Sequence, residues 1–255
     1  MSNLILTNDG TYTLYSKEYN QNYHSAKEGA LNESLSKHVI PALTYHKDKK
    51  ELNILDICFG LGYNTFATLY YIKQNNIDIK LNIYSPEFDK KLLLSLRDFN
   101  YPKEFREFKN IIDILSTEFK YNDNNINIEI FNGDAREYIK ELKNSSKKTK
   151  SFDIVYQDAF SSDVNKLLWT QEYFKQIKSI LNHDAIITTY SIATPIRLSI
   201  YNNNFKIYEY KPNNSNRITI ALIKKEIHKD INYKYIDMEL KQQRNKIAKP
   251  LKDNE

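Results

Sequence analysis

The pattern of apolar and polar residues along this chain changes near Leu52. Before that point, residues 4–15 hold two runs of β-formers on either side of Asp9-Gly10, a turn dipeptide, so a β-hairpin is predicted. Apolar residues at helical spacing follow over residues 29–43, where Pro41 is expected to disturb the helix. After Leu52, short apolar runs alternate with segments of helical period, which is typical of a mostly parallel sheet with helices on both faces.

Seven strands are predicted beyond residue 50. They cover residues 52–57, 79–84, 126–131, 152–157, 184–189, 204–210 and 217–223. Helices are predicted at residues 63–75, 88–98, 134–143, 166–182 and 194–203, with a helical insertion over 99–125. The short turn over residues 211–216 joins the last two strands into an antiparallel hairpin.

This order of elements predicts an α/β, Rossmann-like fold of the class I S-adenosylmethionine (SAM)-dependent methyltransferase type. We expect a seven-stranded, mostly parallel sheet with a terminal antiparallel β-hairpin, preceded by an N-terminal β-hairpin extension. The chain is accordingly divided into an N-terminal extension (1–50), a methyltransferase domain (51–225) and a basic C-terminal tail (226–255).

Two glycines stand where the first of these strands gives way to a helix. Gly60 and Gly62 are separated by one residue, and the whole chain holds only 5 glycines. Glycine at a strand end lets the backbone turn tightly and approach a ligand without a Cβ in the way. Thr65 occupies the position of the third glycine of the dinucleotide-binding fingerprint, which argues against a standard NAD enzyme.

Three carboxylates follow successive predicted strands. Glu87 lies about 27 residues after Gly60, where an acid normally holds ribose hydroxyls. Asp134 follows the third strand and is placed to accept from an adenine amine, and Asp158 follows the fourth and faces the reacting end of a cofactor. The carboxyl ends of parallel strands meet at one edge of a sheet, so these acids are predicted to share a site. The simpler alternative for each acid, Asp134 above all, is a helix N-cap.

Composition narrows the class of protein. The 255 residues are 41% hydrophobic, with a mean hydropathy of −0.63, and no apolar run approaches the roughly 20 residues needed to cross a bilayer. The start of the chain does not resemble a signal peptide, and the single cysteine, Cys58, cannot form an internal disulfide, so a cytoplasmic protein is expected. The five histidines show no metal-ligand spacing, and no metal site is predicted.

The net charge of +5 comes largely from two lysine-rich segments, residues 140–150 and 224–252. Such segments are able to hold a phosphate backbone, but an ordinary solvated surface explains them equally well. The charge alone therefore leaves nucleic acid binding open.

Several segments together resemble the methyltransferase domain of MnmC, the tRNA 5-methylaminomethyl-2-thiouridine biosynthesis protein, and its stand-alone relatives. The matching segments, in family order over about residues 5–223, are Tyr23–Ala30 with Glu33 and His38-Val39, Cys58–Asn64, Glu87, Gly133-Asp134, Gln157–Ser161 with Leu168–Phe174, and Thr189–Ser191 with Arg197. The Asp-Ala-Phe-Ser and Leu-Trp-Thr pair is the specific part of this resemblance, whereas the glycine loop suits any methyltransferase. Residues 161–166 depart from the family, which more often has a proline-containing loop there.

The resemblance implies transfer of a methyl group from S-adenosyl-L-methionine to the amine of 5-aminomethyl-(2-thio)uridine at the tRNA wobble position. Asp158 would take a proton from the amine and aim its nitrogen. The cofactor-binding residues implied are Asp56, Gly60, Gly62, Asn64, Glu87 and Asp134, and the substrate-binding residues are His24, Phe160, Tyr190 and Arg197. The FAD-dependent oxidase domain of bifunctional members is not part of this sequence, so we expect the methyl-transferring half, with a separate enzyme supplying the aminomethyl precursor.

Alternatives stay open at this point. Asp56 either contacts the methionine amine of the cofactor or holds the glycine loop, Phe160 and Tyr190 suit core packing equally, and Arg197 fits a surface charge as well as a phosphate contact. A spermidine-synthase-like aminopropyltransferase also uses an acid at a strand end to prepare an amine. A tRNA-binding relative that has lost turnover is the second rival reading.

Overall fold

The central strands of the main sheet are the apolar runs that begin at Leu52 and Phe152. The computed structural model describes residues 3–144, 151–224 and 232–254. Strand β4 (Glu51–Ile57) pairs in parallel with β8 (Phe152–Gln157) on one side and with β5 (Lys80–Glu87) on the other. Every residue of β8 is buried, as is typical of a strand covered on both faces.

The remaining strands complete two sheets. They are β1 (Asn3–Leu6), β2 (Tyr12–Ser16), β3 (Gln21–Asn22), β6 (Lys120–Asn122), β7 (Ile126–Asn132), β9 (Leu181–Thr189), β10 (Lys206–Tyr210), β11 (Ile218–Leu222) and β12 (Lys234–Tyr235). The first three form a small antiparallel sheet, and the other nine strands form one mixed sheet in the order β12-β10-β11-β9-β8-β4-β5-β7-β6. Its core, from β9 to β7, is parallel, and its outer pairs are antiparallel.

Helices connect and cover these strands. They are α1 (Ala30–Ser34), α2 (Ile40–Tyr45), α3 (Tyr63–Gln74), α4 (Lys90–Ser95), α5 (Lys109–Glu118), α6 (Ala135–Asn144), α7 (Gln171–Lys178), α8 (Thr194–Tyr201) and α9 (Met238–Arg244), with 3₁₀ turns at Leu96–Asp98, Lys103–Phe108 and Lys166–Leu168. A π-helical segment, Leu35–Val39, joins α1 to α2. None of the helices in the described ranges is long and apolar enough to cross a membrane.

The predicted α/β methyltransferase fold is confirmed, with differences at its margins. Over the described residues the main sheet has nine strands rather than seven, because β6 ends the predicted helical insertion and β12 lies in the segment predicted as a tail. The helix predicted over 166–182 is a 3₁₀ turn followed by α7, since β9 begins at Leu181. The first helix runs past Pro41 to Tyr45, because the chain changes to π-helical bonding just before the proline.

Strand β4 lies between β5 and β8. From β4 the chain continues to β5 and β7 on one side of it, and then crosses to β8 and β9 on the other side, so the strand order reverses at β4. Open α/β sheets bind their ligands at such a switch point, outside the carboxyl ends of the strands. The carboxyl ends of β4 and β8, at Ile57 and Gln157, are paired in register. The fold therefore directs attention to the loops that follow these two strands.

Candidate active site

A cavity of about 620 Å³ opens at this carboxyl edge. Its floor is formed by the loops that follow β4, β5, β7 and β8, and the small N-terminal sheet covers one side. Its volume lies in the range of sites that hold small molecules and cofactors. Among the residues predicted as site residues, those that line it are Gly60, Asn64, Glu87, Asp134, Asp158, His24, Phe160 and Tyr190.

The glycine loop forms the base of the cavity between β4 and α3. Gly60 and Gly62 have positive φ angles of 56° and 73°, which side chains rarely tolerate. A Cβ on Gly60 would lie 3.3 Å from the Tyr23 ring, on the cavity side. A Cβ on Gly62 would lie 2.5 Å from Phe66, so this glycine serves close packing beneath the loop rather than lining the cavity.

Glu87 ties the glycine loop to the end of β5. One carboxylate oxygen accepts from the backbone N–H of Gly60 at 2.8 Å, and the other accepts from the N–H of Asp89 at 2.7 Å. Burial raises the pKa of Glu87, although these backbone hydrogen bonds oppose that shift. The carboxylate is thus fixed in place and still borders the cavity.

Asp134 combines the two roles considered for it. One carboxylate oxygen accepts from the N–H groups of Arg136 at 2.8 Å and Glu137 at 3.0 Å, which is an N-cap of α6. The residue also lines the cavity next to Gly133. The capping hydrogen bonds therefore orient the Asp134 carboxylate at the cavity wall, and they are compatible with its contact with a ligand.

Asp158 lies directly after β8, with its side chain 16% exposed towards the cavity. The Asn64 amide donates to one of its oxygens at 2.9 Å, and His38 Nε2 lies 3.4 Å from the other. Burial raises the pKa of Asp158, but its interactions with His38 and the Asn64 hydrogen bond outweigh this effect, so the pKa is lowered. Asp158 is therefore an ionised carboxylate held in one orientation.

Asp56 lies inside β4 and does not border the cavity. Its fully buried carboxylate accepts from Thr65 Oγ1 at 2.9 Å and from the Asn64 amide at 3.3 Å. Burial raises the pKa of Asp56 to about 7. The contacts match the loop-holding alternative, since Asp56 fixes the first turn of α3 and with it the Asn64 side chain.

Aromatic side chains close the cavity on the side of the N-terminal sheet. The Tyr19 and Phe160 rings stack with centroids 4.6 Å apart, and Tyr23 meets Phe160 edge-on at 5.0 Å. The Gln21 amide bonds Ser161 twice, donating to its hydroxyl at 2.5 Å and accepting from its N–H at 3.2 Å. Strand β3 and the loop after β8 therefore form one wall.

His24 and Tyr190 line the same half of the cavity. His24 is hydrogen bonded through Nδ1 to Thr13 Oγ1 at 3.1 Å, and burial lowers its pKa, so it is neutral. The Tyr190 hydroxyl donates to the backbone carbonyl of Ala159 at 2.9 Å. Trp169 donates to the carbonyl of Phe160 at 2.7 Å, so two side chains hold the Asp158 loop from outside.

Arg197 is not brought to the cavity. Its side chain is only 2% exposed and bonds Thr219 Oγ1 at 2.8 Å and Glu209 at 3.2 Å. The predicted phosphate contact for Arg197 is therefore replaced by a buried ion pair beneath β10 and β11. Parts of the lysine-rich segments, residues 145–150 and 225–231, lie outside the described residues.

Several residues that the sequence did not single out as site residues belong to the site. Tyr19, Tyr23, Gln21 and Arg136 border the cavity, and His38 lies behind Asp158. Tyr23 and His38 lie in the segments that resemble MnmC, but nothing in the sequence pattern indicated a role for either residue. Over the described residues, no group of histidine, cysteine and acidic side chains is arranged to hold a metal ion.

Comparison with known proteins shows what this chain is similar to. Residues 104–225 match the family described as S-adenosyl-L-methionine-dependent methyltransferase. An uncharacterized protein of Methanocaldococcus jannaschii is 32% identical over 209 residues, which are 81% of this chain. The chain spans 55% of the length of that relative.

A solved structure shares the whole fold. MnmC2 from Aquifex aeolicus superposes with a TM-score of 0.83 at 28% identity, covering 100% of this chain and 79% of that one. The predicted resemblance to MnmC-type methyltransferases is thereby confirmed. S-adenosyl-L-methionine is the cofactor of the matched family.

Proposed function

We propose that this MnmC-like methyltransferase chain methylates the amine of 5-aminomethyl-(2-thio)uridine at the wobble position of tRNA, giving 5-methylaminomethyl-(2-thio)uridine. The observation that carries this proposal is the ionised Asp158 carboxylate, oriented at the cavity end of β8. A primary amine is largely protonated at neutral pH, and an adjacent carboxylate attracts the ammonium form. The substrate is thus a cation that Asp158 is suited to hold.

The cavity fits the proposed cofactor by its donors and acceptors. Glu87 offers a fixed carboxylate for the ribose hydroxyls, and Asp134 borders the place expected for the adenine. The glycine loop lets the backbone come close to a ligand, because Gly60 has no Cβ. A Cβ there would project towards Tyr23, which lines the cavity. When bound, S-adenosyl-L-methionine supplies an electrophilic methyl group on a sulfonium.

The chain's own residues prepare the amine. Asp158 accepts a hydrogen bond from the ammonium, takes one proton and aims the nitrogen lone pair. Asn64 holds the carboxylate through one oxygen, which leaves lone pairs on the cavity side. The wall of Tyr19, Tyr23 and Phe160 offers aromatic faces beside which an unstacked base packs. Positioning supplies much of the rate acceleration in such a site.

Methyl transfer from labelled S-adenosyl-L-methionine into tRNA that carries 5-aminomethyluridine tests this function. Nucleoside mass analysis should find the label in 5-methylaminomethyluridine, in wild type and not in Asp158→Ala. Transfer of an aminopropyl group from decarboxylated cofactor to a polyamine would instead establish an aminopropyltransferase. Cofactor binding without transfer to any acceptor would leave a tRNA-binding role.

The proposed partners follow from the substrate. A tRNA is the acceptor, and a separate enzyme supplies its aminomethyl group before this reaction. The cytoplasm, where tRNA is modified, is the compartment in which we expect the activity.

A further inference from the structure

We propose that His38 is a positioning residue for this chemistry: its imidazole lies against the Asp158 carboxylate and accepts, through it, the proton that the substrate amine releases. The inference rests on the proposed function, because it requires an amine at Asp158. His38 touches neither cofactor nor acceptor and acts through Asp158 alone.

The imidazole lies between the carboxyl ends of β8 and β9, and only its Nδ1 has a hydrogen-bond partner among the described residues. His38 is completely buried, and Nδ1 lies 2.8 Å from Thr188 Oγ1 on β9. Nε2 lies 3.4 Å from Asp158 Oδ1 and has hydrogen-bond geometry to no described residue. A buried polar nitrogen without a hydrogen bond is costly, so its placement against a carboxylate calls for an explanation.

The backbone that carries His38 is unusual in the same place. Leu35–Val39 is π-helical, and the N–H of Ile40 donates to the carbonyl of Leu35, five residues earlier. Pro41 follows and has no N–H to continue the α-helical bonding. Single π turns inside α-helices are frequent at functional sites, and they redirect side chains that an α-helix would place elsewhere. Here the redirected helix carries the imidazole that faces Asp158.

Aromatic and titratable groups enclose the His38 imidazole. The Tyr156 ring packs edge-on against the imidazole, with centroids 5.7 Å apart, and excludes water from that side. The titratable groups that face it are Asp158 after β8, Asp56 in β4, His24 after β3 and Tyr156 itself. Of these groups, Asp158 is the one whose side chain both approaches Nε2 and borders the cavity.

The proton balance is simple. The substrate ammonium loses one N–H bond as an O–H bond forms on Asp158. That O–H bond then breaks as an N–H bond forms on His38 Nε2, which restores the carboxylate beside the amine. The step requires the neutral imidazole to carry its proton on Nδ1, which lies 2.8 Å from the Thr188 hydroxyl oxygen, so that Nε2 is the acceptor. After the product leaves, the proton returns to solvent through Asp158, the one of the two groups that borders the cavity.

His38→Gln tests the proposal, because glutamine keeps a polar group near Nε2 but accepts no proton at neutral pH. We expect kcat for methylation of aminomethyl tRNA to fall about 10²-fold, the lower end of the range for proton transfer by a positioned side chain. The KM for tRNA and the Kd for cofactor should stay within about twofold. A wild-type kcat in His38→Gln would overturn the proposal.

His46→Gln is the matched control for a merely structural loss. His46 is also a buried histidine, hydrogen bonded at 3.1 Å to the backbone carbonyl of Asp153 at the opposite end of β8. The His46→Gln variant should lower the melting temperature without lowering kcat per folded molecule. An equal loss of kcat in both variants would also overturn the role of His38.

A measurement without tRNA separates this proposal from the proposed function. In protein labelled with ¹⁵N-histidine, the Nε2 resonance of His38 is identified by its absence in His38→Gln. We expect it to move by several ppm in Asp158→Asn, and an unmoved resonance would refute the coupling. If wild type fails to methylate aminomethyl tRNA while this resonance moves, the substrate assignment has failed and the coupling stands.

Discussion

The Asn64 amide, on the first turn of α3, donates to the Asp158 carboxylate at the end of β8 at 2.9 Å. The same amide nitrogen lies 3.3 Å from the buried Asp56 carboxylate. One side chain therefore connects the start of α3, next to the loop proposed to bind the cofactor, with the acid proposed to act on the acceptor. Substitutions in the loop and at the acid are expected to separate cofactor binding from methyl transfer.

Asp158→Ala removes the carboxylate that is proposed to prepare the amine. We expect methyl transfer to fall by about 10²–10⁴, the range for loss of a general base. The Kd for S-adenosyl-L-methionine, measured by isothermal titration, should change little. Asp163→Ala is the control, since it removes the same charge from an exposed position five residues on. Near-normal turnover in Asp158→Ala would remove this residue from the mechanism.

Gly60→Ala should weaken cofactor binding. The added Cβ lies on the cavity side, 3.3 Å from Tyr23, on a backbone with φ of 56°. We expect a Kd about tenfold higher, equivalent to about 1.4 kcal/mol. Gly10→Ala is a close match, because Gly10 has φ of 82° and open space around its Cβ position. That control should lose stability and keep the wild-type Kd, and equal affinity in both variants would contradict the glycine-loop assignment.

Phe160→Ala opens the aromatic wall at the acceptor side. Without the ring that stacks on Tyr19, we expect the KM for tRNA to rise about tenfold, in line with about 1–3 kcal/mol per stacked base. The cofactor Kd should be unchanged. Tyr235→Ala, which removes an exposed ring from β12, provides the comparison. An unaltered KM in Phe160→Ala would assign the ring to loop packing alone.

Asp56→Asn should alter how stability depends on pH. The pKa of Asp56 is raised from 3.8 to about 7 by burial, so between these values the folded protein binds more protons than the unfolded chain. The free energy of unfolding contributed by this group therefore falls as pH rises through about 7. Urea unfolding from pH 5 to pH 8 should show a smaller decline in the variant than in wild type. Parallel pH dependences would disprove the assignment.

Asp253→Ala tests the C-terminal segment. Asp253 accepts two hydrogen bonds from Arg136, each 2.8 Å long, and one from Thr170 at 2.7 Å, at a partly buried position. Charge-assisted bonds of this kind contribute about 1.5–3 kcal/mol each, so we expect a loss of at least about 1.5 kcal/mol in urea unfolding.

Asp113→Ala is the control for Asp253→Ala. It removes an ion pair with Lys109 within one helix, where both side chains are exposed, and should lower the free energy of unfolding by about 0–1 kcal/mol. Because Arg136 borders the cavity, Asp253→Ala should also weaken cofactor binding. Equal stability of the two variants would show that the tail is not anchored through Arg136.

Glu87, Asp134 and Asp158 were predictable together because each follows a strand, and parallel strands deliver their carboxyl ends to one edge. The N-terminal hairpin and the terminal hairpin were predictable for a similar reason, since their turns are local. Arg197 shows the limit of this reasoning. Its charge is visible in the sequence, but its burial against Glu209 and Thr219 depends on how β10 and β11 fold back over α8.

Pro41 shows a second limit. A proline inside a helical pattern predicts an end or a kink, because its ring removes one hydrogen bond. The helix continues instead, because a π turn takes up the change, and the sequence does not reveal which bonding pattern the surrounding core favours. The orientation of His38 depends on that choice.

Hydrophobic period and local turns were enough to predict the central strands with the helices between them, the glycine loop and the acids at the strand ends, because each of these depends on residues close together in the chain. Tertiary structure alone decided that His38 faces Asp158, that Gln21 joins Ser161 and that Arg136 meets Asp253. These contacts join residues more than 100 positions apart. Their geometry is set by the packing of whole elements, which no local pattern in the chain encodes.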